Sequence, residues 1–324
     1  MKPLFKFGSL LFVVLVVLPL LLRFGLFVNG LRTFHSRIGW EASEYFKDPE
    51  VVALCEAIES DNLEEIDRLV ASGADVNAKG KDGMTPLLWA FPDDRLPRFE
   101  KMLELGANPN VPITGDLNSR GTFRPSMTVI HIAAGSKFEG QFEAVMKHGG
   151  DPNLVDDRDQ APLNLIVGSF SLPESLRLKR IRILLDAGAD LDFVGGMSGM
   201  TSAMNSVSRG KFQEALLLLE AGASMDIYQT RSNKKFVHCL AQNRSTPNRE
   251  RLDKGMSSQN RIALETILKL VKDNGDDLEQ AKKDLERWQN WGKVYESAKF
   301  RELMDKEIAE RKSKEAAATE QVLD

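Results

Sequence analysis

Apolar residues in this chain recur three and four places apart in short runs, and run after run ends on the same small word. LLDAGADLD at 184–192 has close copies in LVASGADVN (69–77), MLELGANPN (102–110), VMKHGGDPN (145–153) and LLEAGASMD (218–226). The spacing predicts amphipathic helices. A glycine just past the last apolar position marks a helix end, because the left-handed conformation needed there costs glycine least. The recurrent glycines are Gly73, Gly106, Gly149, Gly188 and Gly222, at intervals of 33, 43, 39 and 34 residues. Repetition at that period is the pattern of a stack whose units are too small to bury their own apolar faces and bury them against neighbours. The shorter intervals give the basic unit. The longer ones carry insertions, VPITGDLNSRGTFRP at 111–125 and a stretch at 172–180 expected to lengthen the turn inside the fourth unit.

After each exit comes a second, shorter apolar segment that opens on a turn signal: DGMTPLLWAF (82–91), SMTVIHIAAG (126–135), DQAPLNLIVG (159–168), SGMTSAMNSV (198–207) and KKFVHCLAQN (234–243). Thr-Pro suits a helix start, the threonine hydroxyl capping a free N–H and the proline lacking an N–H that would have no partner there. Each unit therefore reads turn, short helix, tight connection, longer helix, glycine.

These units resemble ankyrin repeats. Thr85-Pro86-Leu87 matches the start of that family's Thr-Pro-Leu-His signature, with Leu88 in the histidine position; His131 and His238 fill that position in their units, and Asn164 and Met204 replace it. The likeness covers about 48–270 and implies an all-α ankyrin solenoid of five to six helix-turn-helix units with hairpin loops. It also implies an interaction scaffold, in which the short helices and hairpin tips form a concave face for another protein, and a hydrogen-bonding structural role for His131 and His238.

The chain starts differently. FGSLLFVVLVVLPLLL at 7–22 holds no charge, and beyond Arg23 apolar character resumes to residue 31. Spanning a bilayer takes about 20 apolar residues, and an arginine near one end snorkels to the interface. The expectation is an N-terminal transmembrane helix at 1–31, retained rather than cleaved, since the only small-residue cleavage candidate is Val28-Asn29-Gly30. The positive flanks are balanced, so orientation rests on the short basic tail staying inside. That makes a single-pass membrane protein with its repeats on the outer side, in the periplasm if the source is a Gram-negative bacterium. A linker at 32–47, repeats at 48–275, a C-terminal capping helix at 276–300 and a charged, exposed or frayed helical tail at 301–324 complete the expected organisation.

Composition narrows the chemistry. With 42% hydrophobic and 28% charged residues and a net charge of −4, the chain can bury a core and gives no reason to expect nucleic acid. Cys55 and Cys239, in the first and last units, read as buried core thiols rather than a disulfide. None of His35, His131, His148 and His238 stands three or four residues from another, so no metal site is expected. GGMSGM (195–200) lacks the second glycine of a nucleophile elbow, GKDG (80–83) lacks a phosphate loop's lysine and serine, and DNGDDLE (273–279) lacks the alternating ligands of a calcium loop. The last reads instead as a helix stop at Asn274-Gly275 and a cap at Asp276-Asp277. Trp89, Trp288 and Trp291 read as packing residues. No enzyme and no cofactor are expected.

The functional expectation is a membrane-tethered scaffold for a protein partner. One specific form is an immunity-type protein that neutralises a secreted antibacterial effector. The alternatives are a scaffold for a cell-envelope complex and, less favoured, a ligand-binding or enzymatic module. Tips and insertions vary without disturbing the stack. The candidate contact residues are therefore Lys79, Lys81, Asp82, Phe123, Arg124, Asp157, Arg158, Met197, Met200, Tyr228 and Arg231, with fold-back packing as the competing role for Phe123 and Tyr228.

Overall fold

Short apolar words closed by glycine become pairs of antiparallel helices in the computed structural model, which describes residues 33–117, 123–230, 232–247 and 249–323. No strand occurs among them; a single isolated bridge joins Gly195 to Met200. The expected span at 1–31 lies outside the described residues, and among those described no helix is long and apolar enough to cross a membrane. The chain divides into two compact bodies, the first holding the described residues up to 108 together with 115–117, the second holding 109–114 and those from 123 on.

The first body contains two repeats. α1 (Phe34–Ile38) and α2 (Ala42–Tyr45) precede α3 (Pro49–Glu59) and α4 (Leu63–Ala71), then α5 (Pro86–Ala90) and α6 (Leu96–Glu104). Residues 33–47 are therefore not the linker the sequence suggests. His35 is wholly buried, its Nε2–H donates to the Trp89 carbonyl (2.8 Å), and its ring stacks on Trp89 at 4.5 Å. Trp40 and Phe46 are each 4% exposed, and the Trp40 indole donates to the Leu117 carbonyl. The cluster thus packs on the inner helix of the second repeat through Trp89, while α2 packs on α3.

The second body runs through α7 (Val129–Gly135) and α8 (Gln141–Lys147), α9 (Pro162–Gly168) and α10 (Glu174–Asp186), and α11 (Ser202–Ser208) and α12 (Phe212–Glu220). A sixth pair follows, α13 (Phe236–Arg244) and α15 (Ser258–Asp273), interrupted by the short α14 (Arg249–Lys254). α16 (Leu278–Val294) packs on α13, and α17 (Ser297–Leu323) ends the chain. Two boundaries differ from the sequence reading. The insertion at 172–180 does not lengthen a turn; from Glu174 it is helix and makes α10 thirteen residues long. The tail beyond 300 is one continuous helix with the residues before it, and Met304 on it is buried.

The recurrent exit has a physical reason. Gly73, Gly106, Gly149, Gly188 and Gly222 all lie at positive φ, from 77° to 116°. Four residues beyond an exit, an asparagine then ties its loop to the next one. Asn77 donates to the Gly106 carbonyl (3.0 Å) and accepts from the Asn108 N–H (2.7 Å). Asn110 does the same with Gly149 and Asp151, and Asn153 with Gly188 and Asp190. In the last step Asp192 accepts from the Ser224 N–H (2.8 Å).

A second set of ties lies in the core. Buried cations on the outer helices reach the open carbonyls at the ends of inner helices, where a helix leaves unpaired acceptors and a partial negative charge. Arg98 donates to the carbonyls of Ala90, Pro92 and Ile58. Arg180 reaches Ala134, Ser136 and Phe138, and Lys211 reaches Val167 and Ser169. Burial pushes the Lys211 ammonium down to about 8. Glu214, buried beside it, accepts from Arg177 (2.6 Å).

Candidate functional site

Each inner helix starts at a hairpin tip, and the start fixes how the tip is held. Thr85 Oγ1 accepts from the Leu88 N–H (3.1 Å), with Pro86 at the first helical position. In the repeats with histidine, its Nδ1 accepts from the backbone N–H three residues earlier, Thr128 for His131 and Lys235 for His238, both at 3.2 Å. His131 Nε2–H then donates to the Leu154 carbonyl (3.0 Å), so the neutral Nε2–H tautomer satisfies both partners. Burial, the largest influence on both rings, lowers their pKa values below the ordinary histidine range. Asn164 does the same work with an amide, accepting from the Ala161 N–H (3.0 Å) and donating to Ser202 Oγ.

In the second body the tips are joined edge to edge. Asp156, fully buried at its carboxylate, accepts from the N–H groups of Arg158 and Gln160 (both 2.9 Å) and shapes the tip at 156–160. Gly196 N–H donates to the Asp159 carbonyl (2.6 Å), tying that tip to the next, 195–200. Thr230 N–H donates to the Gly199 carbonyl (2.9 Å) and the Gln229 amide to Ser198 (2.6 Å), adding the tip at 228–234. Backbone polar groups thus pair along the strip and leave side chains outward.

The predicted contact residues distribute unevenly over this geometry. Arg124, Asp157, Arg158, Met197, Met200 and Tyr228 fall along the strip. Arg124 is largely buried and bonds both Asp156 and Asp157 at 2.8 Å, so it builds the strip more than it presents itself. Phe123 is 3% exposed and packs into the body, the fold-back role. Met200 is half-buried, whereas Met197 is 97% exposed, and Arg158 and Asp157 are exposed. Lys79, Lys81 and Asp82 form a tip of the first body, where the Asp82 carbonyl accepts from the Gly115 N–H (3.2 Å). Arg231 lies outside the described residues.

Sequence reasoning missed three features. Asp156 was legible as a side chain capping its own turn. Phe170, 81% exposed in the loop before α10 with Arg209 above its ring at 4.5 Å, sits away from the tips. Arg311, far away on α17, covers the Tyr228 ring at 3.7 Å, a contact that no local pattern announces.

Residues 54–91 match the family model described as ankyrin repeats (many copies). The chain carries ankyrin repeats. The match runs from within α3 to just past the end of α5, and paired helices continue beyond it to the sixth pair. A 69-residue segment is 39% identical to the human mitochondrial disaggregase; it covers 21% of this chain and 10% of that protein. The likeness thus concerns a small part of the human protein's length. Ankyrin repeats are a protein–protein interaction module. No group of three or more His, Cys, Asp or Glu able to hold a metal ion occurs among the described residues.

Proposed function

We propose that the tip strip of the second body binds a partner protein, with Asp157, Arg158, Met197 and Tyr228 as its outward contacts. The observation that carries this reading is Met197, 97% exposed at the crest of a tip held by backbone hydrogen bonds to both neighbours. A flexible, polarisable apolar side chain standing in water on a rigid ledge costs free energy alone and gains it under a partner. Arg158 beside it supplies a planar donor set of the kind enriched at interfaces. The same reading tethers the repeats to a membrane through the apolar stretch at 7–22, so that the partner is a protein met at the membrane's outer face. The candidates are the secreted effector of an immunity pair or a resident of the cell envelope. What supports the tether is the length and purity of that stretch.

The test is photocrosslinking in cells that produce the chain, with a benzophenone side chain in place of Met197, Arg158 or, as control, Arg182 on the outward face of α10. Discrete crosslinked species at 197 and 158 that are missing at 182 are the expected result. Equal yields from all three positions would sink the reading, and the mass of the discrete species identifies the partner.

A further inference from the structure

The end of the strip is already occupied. α17 follows α16 after only Tyr295 and Glu296, so it turns back along α16. Its contacts fall on one face, at spacings of three and four residues. Met304 is 6% exposed. Three residues on, Glu307 accepts from Arg287 Nη2 (2.6 Å) and from the Trp288 indole (3.1 Å). Four residues further, the Arg311 guanidinium lies 3.7 Å from the Tyr228 ring centroid, and its Nε donates to Asn233 Oδ1 (3.1 Å). Tyr228 and Asn233 belong to the sixth hairpin tip. An open cleft of about 690 Å³ lies alongside these contacts, bordered by Leu303 and Glu310 of α17 itself and by Tyr228, Arg287 and Trp291.

We propose that α17 is a displaceable latch, seated in a helix-binding groove formed by the sixth hairpin tip and α16. The groove's chemistry specifies its occupant: a helix with an apolar residue, an acidic residue three places on and an arginine four beyond that. An aromatic face and an amide take the arginine, an indole and a guanidinium take the carboxylate, and the apolar residue is buried at the contact. The attachment is built to be reversible. One buried methionine, a cation over a ring and partly exposed ion pairs are weak singly and sensitive to salt, and most of α17 faces water. While it is closed, Tyr228 and Asn233 are withheld from anything docking along the strip; that consequence rests on the function proposed above, whereas the groove itself does not.

The test uses the full-length chain and a fluorescent peptide of its own residues 297–317. Glu307→Lys sets a cation against Arg287 and leaves the groove intact, and hydrogen exchange reports whether α17 is released. The peptide should bind the Glu307→Lys chain at least about tenfold more tightly than the parent, where it must compete with a tethered copy present at high effective concentration. Adding Tyr228→Ala to Glu307→Lys should abolish that gain. If exchange shows α17 released and the peptide still binds no better than to the parent, or binds equally without Tyr228, the groove is not a helix site. Unchanged exchange in both Glu307→Lys and a second variant, Met304→Asp, would also overturn the proposal, since the named contacts would not be what holds the helix. None of these outcomes involves a foreign partner, so they stand apart from the crosslinking at Met197 and Arg158.

Discussion

At the scale of single residues, the third helical position of α7, α9 and α13 shows one requirement met by different groups. A backbone N–H at the tip needs an acceptor, and imidazole Nδ1 of His131 and His238 or the amide oxygen of Asn164 supplies it. The exchange differs in one respect, because imidazole titrates. Burial lowers the pKa of His131 below its ordinary 6.5, so the folded chain holds it neutral. The unfolded chain binds the proton first as pH falls, and stability is therefore lost below about 6.5, down to the lowered folded-state value. His131→Asn should leave the melting temperature at pH 8 little changed, within about 1 kcal/mol, and flatten its fall between pH 7.5 and 5.5. Thermal melts across that range check this; an unaltered slope would mean that His131 does not titrate with unfolding. The position was legible from Thr-Pro-Leu and the register of the repeats. The burial of Phe123 was not, because an aromatic in an insertion looks the same whether it points in or out.

At the scale of the element, the glycine exit was the most legible feature, since one backbone requirement leaves one residue type in five places. Gly188 at φ +77° meets nothing within 4 Å of an added Cβ, so the cost of a substitution there is conformational rather than steric. Gly188→Val should destabilise by more than about 1 kcal/mol, and Gly188→Asn by much less, because asparagine tolerates that conformation. Urea melts of the two variants separate the cases. The insertion at 172–180 looks like a longer turn by its length alone. Its composition, Pro173 and Glu174 followed by strong helix formers, already spelled a helix start. The buried Arg180 within it could not be recognised either, since a charged residue on an outer helix is ordinarily solvated. Arg180→Met should cost more than about 2 kcal/mol by removing a buried cation's bonds to the carbonyls of Ala134, Ser136 and Phe138, measurable in the same melts.

At the scale of the whole molecule, what local pattern missed are the ends. Residues 33–47 read as a linker because they hold no repeat period, yet His35, Trp40 and Phe46 are buried, the first two stacked on Trp89 of the second repeat. A chain beginning at Thr33 should therefore be more stable than one beginning at Trp40. The difference should exceed about 2 kcal/mol for the lost aromatic packing and the buried bond to Trp89. Equal denaturation midpoints for the two would show that α1 contributes nothing to stability. α17 escaped for a related reason: its anchors, Glu307 and Arg311, are charged residues in a charged run, and only their partners on α16 and the sixth tip give them a place.

The buried cations give this fold a direction in time. Arg180 closes the end of α7 from 46 residues downstream of Ala134, and Lys211 closes the end of α9 from 44 residues downstream of Val167. On the ribosome an inner helix is made well before the side chain that completes it, a wait of about 2 to 9 seconds at ordinary rates of synthesis. During that interval its terminal carbonyls stay in water, and the repeat is held open for its successor. A chain stopped early is thus incomplete in the repeat before the break as well as at the break, whereas a loss at the N-terminal side leaves α7 and α9 with the cations that close them.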